Sequence, residues 1–412
     1  MMQEDLKPAG PRPRHDLAFT IAAVDAYHLV VPQATYWNEY RVGNRSESAR
    51  FMLKPGWRTV YARQVESALV RVTFDDGSVG WGEATEPICP EVICRLATQL
   101  LAPLAGGIAF AEPAALWDFC YDLNRGRGHT SGYQLLAMAA LDIAVWDALG
   151  RRLDLPVCRL LSEAPGDSIA VYLSGIRRAS VGERIELMRR MTAEGLRGAK
   201  IFVGGDTAES LREVEQLRNG VPGAWQLMTD ALWSYSDVAS AADAKRLLAP
   251  YQVRWLECPL VPEDLPGHAE LARLPGVPIA LGESFNSSWQ VAPWLMAGAL
   301  DVLQPDIGRT GFSDGIRLQK AAESSGMAVT AHMGSGTPLV QAAALTFDAV
   351  QSTDLLAECQ FDLGGILPDV FQTGWVYRQG EIAVPDRGGL GVEIDVSALE
   401  RHCVLVDRWR RK

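Results

Sequence analysis

The sequence predicts an α/β protein, a (β/α) barrel carrying a smaller α+β domain. Three observations predict it. From residue 168 onward, eight strand-like runs recur on a beat of roughly 23–30 residues, the length of one βα unit. Amphipathic helical stretches lie between most of these runs. The first third of the chain follows another pattern, strands first and then helices.

The bulk numbers bound the reading. A chain of 412 residues is too long for one simple core, so two domains are expected. The net charge of −11 argues against a general nucleic-acid or anionic-membrane binder. It leaves an anionic small substrate open, because local fields decide that. The seven cysteines are scattered, and Cys89 and Cys94 are the closest pair, with no CxxC. That pattern fits reduced thiols in a cytoplasmic protein. Residues 1–17 form a polar, proline-rich tail without an apolar signal core. No apolar run is expected to reach the roughly 18 residues of a membrane span.

The N-terminal domain, 18–165, opens on a strand, LAFTIAAVDAYHLVV. ESALVRVTFDDGSVGWGEA reads as two strands joined at Asp75, Asp76 and Gly77. Two helical stretches follow, and the stronger, SGYQLLAMAALDIAVWDALGRRLDLP, is broken by Pro156. The barrel, 166–361, has strand candidates SIAVYLSG, GAKIFV, AWQLMTD, VRWLECP, PIALGES, ALDVLQPD, AVTAHMG and LLAECQ. Ile185, Met188 and Met191 share one helix face between strands, as do Leu211, Val214 and Leu217. A doubly wound open sheet is the alternative, but no glycine-rich phosphate fingerprint follows the first strand. Residues 362–412 return to short strands and turns and are expected to pack back on the first domain.

The last polar residues of successive barrel strands are Asp230, Glu257, Glu283, Asp306, His332 and Glu358, 23–27 residues apart. They therefore sit at one height, at the carboxyl ends of the strands, where barrels carry their active sites. A single acid at a strand end is commonly a helix cap. Three on consecutive strands repel one another unless a cation joins them, and oxygen donors favour a hard ion such as Mg²⁺ over Zn²⁺. Asp306 and His332 come from adjacent strands, within reach of a hydrogen bond that would make a competent base. Thr337 can cap a helix with Pro338 at its first position, and the free amides there offer an anion site. Lys200 and Phe202 point to the same face of GAKIF.

With AMAALDIAVWDALGRRLDLPVCRLL and the motifs GAKIF, LMTD, WLECPL, ALGES, LQPDIGRTG, TAHMGSG and LLAECQ, the chain resembles the enolase superfamily, specifically its mandelate racemase-like subgroup. The resemblance implies a modified (β/α)₇β barrel under an α+β cap built from the N-terminal part and the C-terminal tail. It implies removal of a proton next to a carboxylate, giving a metal-stabilised enediolate, with a Lys or His base and Mg²⁺. It places one Mg²⁺ on Asp230, Glu257 and Glu283, makes His332 the acid or base and Asp306 its orienter. Glu358 would hydrogen-bond the substrate carboxylate, which requires a protonated carboxyl and so a raised pKa. Family members commonly form symmetric homo-oligomers.

Two positions depart from the family pattern. The usual K-x-K is Lys200-Ile201-Phe202, so the second lysine is missing, and Leu232 stands where a polar residue often follows the first metal ligand. Racemisation needs an acid and a base on opposite faces, whereas elimination of water can use one residue. The expected activity is therefore dehydration of an acid sugar to a 2-keto-3-deoxy acid, with racemisation or epimerisation, or an inactive sugar-acid-binding relative, as the alternatives. Lys200 is the remaining candidate for a second base. The stretch 33–58 is locally basic, with Arg41, Arg45, Arg50, Lys54 and Arg58, and could grip a second substrate carboxylate. Trp37 and Tyr40 in the same stretch could exclude water or merely pack.

Overall fold

The N-terminal domain is built on the strand Phe19–Val31, which pairs antiparallel with Val65–Phe74 on one side and Cys403–Arg410 on the other. Val79–Ala84 completes the sheet as a hairpin with Val65–Phe74, turning at Gly77 with φ +86°. The computed structural model describes residues 15–31, 50–53, 59–176, 178–204, 206–334, 336–360 and 366–412. Against this sheet lies the 21-residue helix Tyr133–Leu153. Its backbone comes very close because the strand presents Gly80 and Gly82. A Cβ at Gly82 would lie 2.0 Å from the Ala140 carbonyl oxygen, and one at Gly80 2.2 Å from that of Ala144. Small residues on both elements thus set the spacing.

That helix corrects one expectation. It is long and apolar enough to cross a membrane by length and composition, yet it is packed inside the core. Its side chains are buried without interruption from Gln134 to Gly150, between the sheet and the helix Ile307–Ser324. A helix that is apolar all round is a core helix when protein surrounds it.

The barrel strands are Ser168–Ser174, Gly198–Phe202, Gln226–Asp230, Val253–Glu257, Ile279–Leu281, Val302–Leu303, Ala328–Val329 and Ala357–Cys359. Each pairs in parallel with the next as far as the seventh, and the eighth pairs with the first through Val171–Leu173. Between the seventh and eighth the described residues show no ladder. Met333 N–H donating to Glu358 (2.9 Å) and the Gln360 amide donating to the Met333 carbonyl (2.8 Å) close that gap. Several ladders are shorter than the sequence suggests, so Glu283, Asp306 and His332 lie just past their strands. A single parallel bridge between Asp306 and His332 carries the pairing outward to the site.

Helices cover the outside as their periodicity requires. Val181–Ala193 starts at a Ser180–Glu183 capping box and buries Met188; Thr207–Gly220 starts at Asp206 and buries Val214 and Leu217. Inside the barrel, Tyr172, Met228, Trp255, Ala280, Val302 and Leu356 form a separate apolar plug. Strand side chains two residues apart share a face, so this layer places Ser174, Asp230 and Glu257 directly above it.

The C-terminal segment divides its contacts. Cys403–Arg410 joins the N-terminal sheet, whereas the hairpin of Val376–Arg378 and Glu381–Ala383 adds antiparallel to the first barrel strand at Ser168–Ala170. The eighth strand is too short to pair with that end of the first strand, and the hairpin covers the exposed edge.

Candidate active site

At the carboxyl ends of the strands opens a cavity of about 920 Å³. The barrel contributes Lys200, Phe202, Asp230, Leu232, Glu283, Arg309, His332 and Glu358, and the N-terminal domain contributes Val65, Thr85, Glu86 and Tyr133. Seven of the eight residues singled out at strand ends and on GAKIF are here or directly beneath: Glu257 lies under the surface, bound to Lys200. Asp306 is the eighth, behind His332.

The floor is an ion cluster. Lys200 is only 1% exposed, and its Nζ lies 2.8 Å from Glu257 Oε1, 2.9 Å from Glu358 Oε1 and 3.9 Å from Asp230 Oδ2. Burial alone would neutralise this lysine, but Glu257 and Glu358 hold it charged, well above the usual lysine range. Its ammonium is engaged by Glu257 and Glu358 and forms a positive charge on the floor of the cavity. Glu257 also accepts hydrogen bonds from Trp255 Nε1 and Gln304 Nε2, both at 3.2 Å.

Four carboxylates face this one lysine. Burial, then the charge of Glu257, pushes Asp230 well above the usual carboxylate range. Burial likewise raises Glu257, with Glu358 and Glu283 adding to the shift. Glu283 goes the other way. Burial opposes its charge, but His332 outweighs that and holds it at about 2. Glu257, Glu283 and His332 place ligand-type atoms within 4.8 Å of one another. A set of buried, under-compensated carboxylate oxygens fits a hard divalent cation.

His332 sits between two acids. Its Nδ1 is 3.0 Å from Asp306 Oδ2 and its Nε2 is 2.9 Å from Glu283 Oε2. Burial disfavours the imidazolium, yet Glu283 and Asp306 carry the ring well above its ordinary pKa. Asp306 is itself anchored by Thr85, whose hydroxyl donates to Oδ1 at 2.8 Å from 221 residues away.

Glu358 departs from the expected neutral state. Burial favours the protonated form, but Lys200 and then His332 override it, and the carboxyl lies below its usual range. It also accepts from Ser174 Oγ and from Met333 N–H. Its two oxygens thus meet Lys200, Ser174 and the Met333 amide.

The anion site expected at the helix Pro338–Asp348 is already filled. Thr337 does cap it, but Thr337 N–H and Val340 N–H donate to buried Glu83 at 2.9 and 3.0 Å, and the Thr337 hydroxyl donates at 2.5 Å. The chain's own carboxylate takes the helix N-terminus and locks the two domains together. Most of the basic stretch 33–58 lies outside the described residues, including Arg41, Arg45, Lys54, Arg58, Trp37 and Tyr40. Arg50 is described and is committed elsewhere, 2.6 Å from Glu66 and 2.7 Å from Glu91.

Sequence reasoning missed Ser174, Thr85, Arg309 and Glu83. Ser174 is the last polar residue of the first barrel strand, so the rule that found the others also applies to it. Arg309 lies three residues after Asp306 in LQPDIGRTG. Nothing local connects Thr85 or Glu83 with their barrel partners.

Comparison with known proteins identifies the family. Residues 183–398 match the enolase C-terminal domain-like family, and residues 50–162 match the mandelate racemase/muconate lactonizing enzyme N-terminal domain. A D-galactarolactone cycloisomerase of Agrobacterium fabrum is 29% identical over 80% of this chain and 89% of its own. A D-galactonate dehydratase of Xanthomonas axonopodis pv. citri is 27% identical over 85% of this chain and 95% of its own. Among solved structures, an enolase superfamily member from Agrobacterium tumefaciens superposes with a TM-score of 0.87 at 28% identity, covering 95% of this chain and all of the other. A racemase from Streptomyces coelicolor A3(2), solved with bound magnesium, gives 0.78 at 25% identity, covering 93% of this chain and all of the other. With both halves matched and the acid cluster at the barrel mouth, the chain belongs to the mandelate racemase/muconate lactonizing enzyme family of the enolase superfamily.

Proposed function

We propose that this protein is a Mg²⁺-dependent acid-sugar dehydratase. The observation that carries the reading is His332 on Asp306, facing a cavity in which, among the described residues, the second strand offers Phe202 instead of another base. Mg²⁺ held by Asp230, Glu257 and Glu283 would supply positive charge where negative charge collects on the substrate carboxylate. Glu283 now meets His332 Nε2 at 2.9 Å, and as a ligand it would release that nitrogen to face the substrate. Nε2 takes the α-proton while Asp306 holds Nδ1–H and stabilises the imidazolium that forms. The same Nε2–H then passes its proton to the departing β-hydroxyl, which leaves as water. The resulting enol tautomerises to the 2-keto-3-deoxy acid. Lys200 presents its fixed charge to the substrate carboxylate from below.

The cycloisomerase relative supports a second use of this chemistry. One base that removes an α-proton serves equally to expel a ring oxygen at the β-position, so lactones belong in the substrate panel.

Proton NMR in D₂O with Mg²⁺ tests the proposal on aldonates, aldarates and their lactones. Dehydration produces a new 3-deoxy methylene resonance, and excess chelator abolishes it until Mg²⁺ is restored. Activity that persists in chelator rules out the metal, and deuterium entering the α-position without loss of water returns racemisation or epimerisation. Phe202→Lys is expected to introduce α-proton exchange on the opposite face. Exchange stereochemistry unchanged from wild type would remove Phe202 from the account.

A further inference from the structure

Among the described residues that line the cavity, the elimination chemistry leaves one cation, Arg309, unused. Arg309 lies in the first turn of the helix Ile307–Ser324 and lines the cavity with His332, Glu86 and Thr85. Its Nε is buried and has no hydrogen-bond partner. Its ion-pair contact is loose, 3.8 Å from Asp306 Oδ2, on a carboxylate already bonded by Thr85 and His332. Lys200 is committed to Glu257 and Glu358. Among the described residues that line the cavity, Arg309 is therefore the guanidinium whose fork is unfilled. Glu86 stands nearby, but it accepts from Ile88 N–H at 2.8 Å, and burial pushes it toward the neutral form against the pull of Arg309. Among the described residues, no carboxylate makes a bidentate pair with Arg309.

A guanidinium presents parallel N–H groups that match the two oxygens of one carboxylate. The proposed function already assigns the reacting carboxylate of the substrate to the floor at Lys200. We propose that Arg309 binds a second carboxylate at the far end of the substrate, which makes the enzyme selective for aldarates over aldonates. This inference rests on the acid-sugar reading and specifies its substrate class.

Calorimetric titration of the Mg²⁺-loaded protein tests it with two matched pairs, galactarate with galactonate and glucarate with gluconate. Wild type is expected to bind one diacid about tenfold or more tighter than its mono-acid, as a charge-assisted pair provides. Arg309→Gln removes that preference and leaves mono-acid binding within about twofold, and Arg309→Lys restores part of it. An equal loss for both members of a pair overturns the inference and leaves Arg309 as a support for Asp306. Wild type without a diacid preference overturns it as well, as does failure to bind any of the four acids. α-Proton exchange in D₂O on the same samples is a separate readout. Diacid preference without exchange defeats the elimination reading while the role of Arg309 stands.

Discussion

His332→Asn is expected to fold normally and to lose about 10²–10⁴-fold in kcat, the range a general acid–base group contributes. The loss should be this large because the same imidazole both removes the α-proton and protonates the leaving group, and Phe202 offers no substitute. Asparagine keeps a polar group toward Asp306 Oδ2, so the pairing of the sixth and seventh strands at Asp306 and His332 survives. The checks are turnover and α-proton exchange by NMR, with a thermal melt to confirm the fold. Near-normal turnover would remove His332 from the mechanism. Retained exchange with lost dehydration would leave proton abstraction to another group and keep His332 only as the acid.

Lys200→Met should have the largest effect on stability. The lysine is buried with Glu257 and Glu358 at 2.8 and 2.9 Å, and methionine fills its space without its charge. Breaking a buried ion pair from one side leaves uncompensated carboxylates and costs about 3–5 kcal/mol. Urea unfolding in chelator reads this as a lower midpoint. Adding Glu358→Gln to Lys200→Met should return part of the loss, because one of the orphaned charges disappears with it. A single variant as stable as wild type would show that the cluster does not depend on the lysine charge. A double variant that recovers nothing would place the cost in packing instead.

Much of the fold was readable because a barrel repeats. Local periodicity located the eight strands, and the final polar residue of successive strands picked out Asp230, Glu257, Glu283, Asp306, His332 and Glu358. That inference needs only strand alternation and a constant repeat, both of which are written along the chain. Strand lengths were less legible. Val302–Leu303 and Ala328–Val329 are much shorter than their apolar runs, because ladder length depends on neighbours rather than on propensity.

The surroundings of Glu358 were not legible either, because Lys200, Ser174 and the Met333 amide reach it from three different segments. The same holds for the free amides expected at Thr337, which Glu83 fills from the other domain.

By itself, then, the sequence determined the repeating architecture, the carboxylates and histidine at the barrel mouth and the loss of the second lysine. The first two are carried by residue types at a regular interval, and the third by the resemblance to the family's K-x-K pattern. Only the tertiary structure decided that Thr85 anchors Asp306, that Glu83 occupies a helix N-terminus, that Arg50 is spent on Glu66 and Glu91, and that Arg309 faces the cavity with only a loose contact to Asp306. The contacts of Thr85 with Asp306 and of Glu83 with Thr337 and Val340 depend on how the N-terminal domain lands on the barrel. All of them join segments distant in the chain, as does the close approach of Gly80 and Gly82 to Ala144 and Ala140 within the N-terminal domain, and no local pattern encodes which segment meets which.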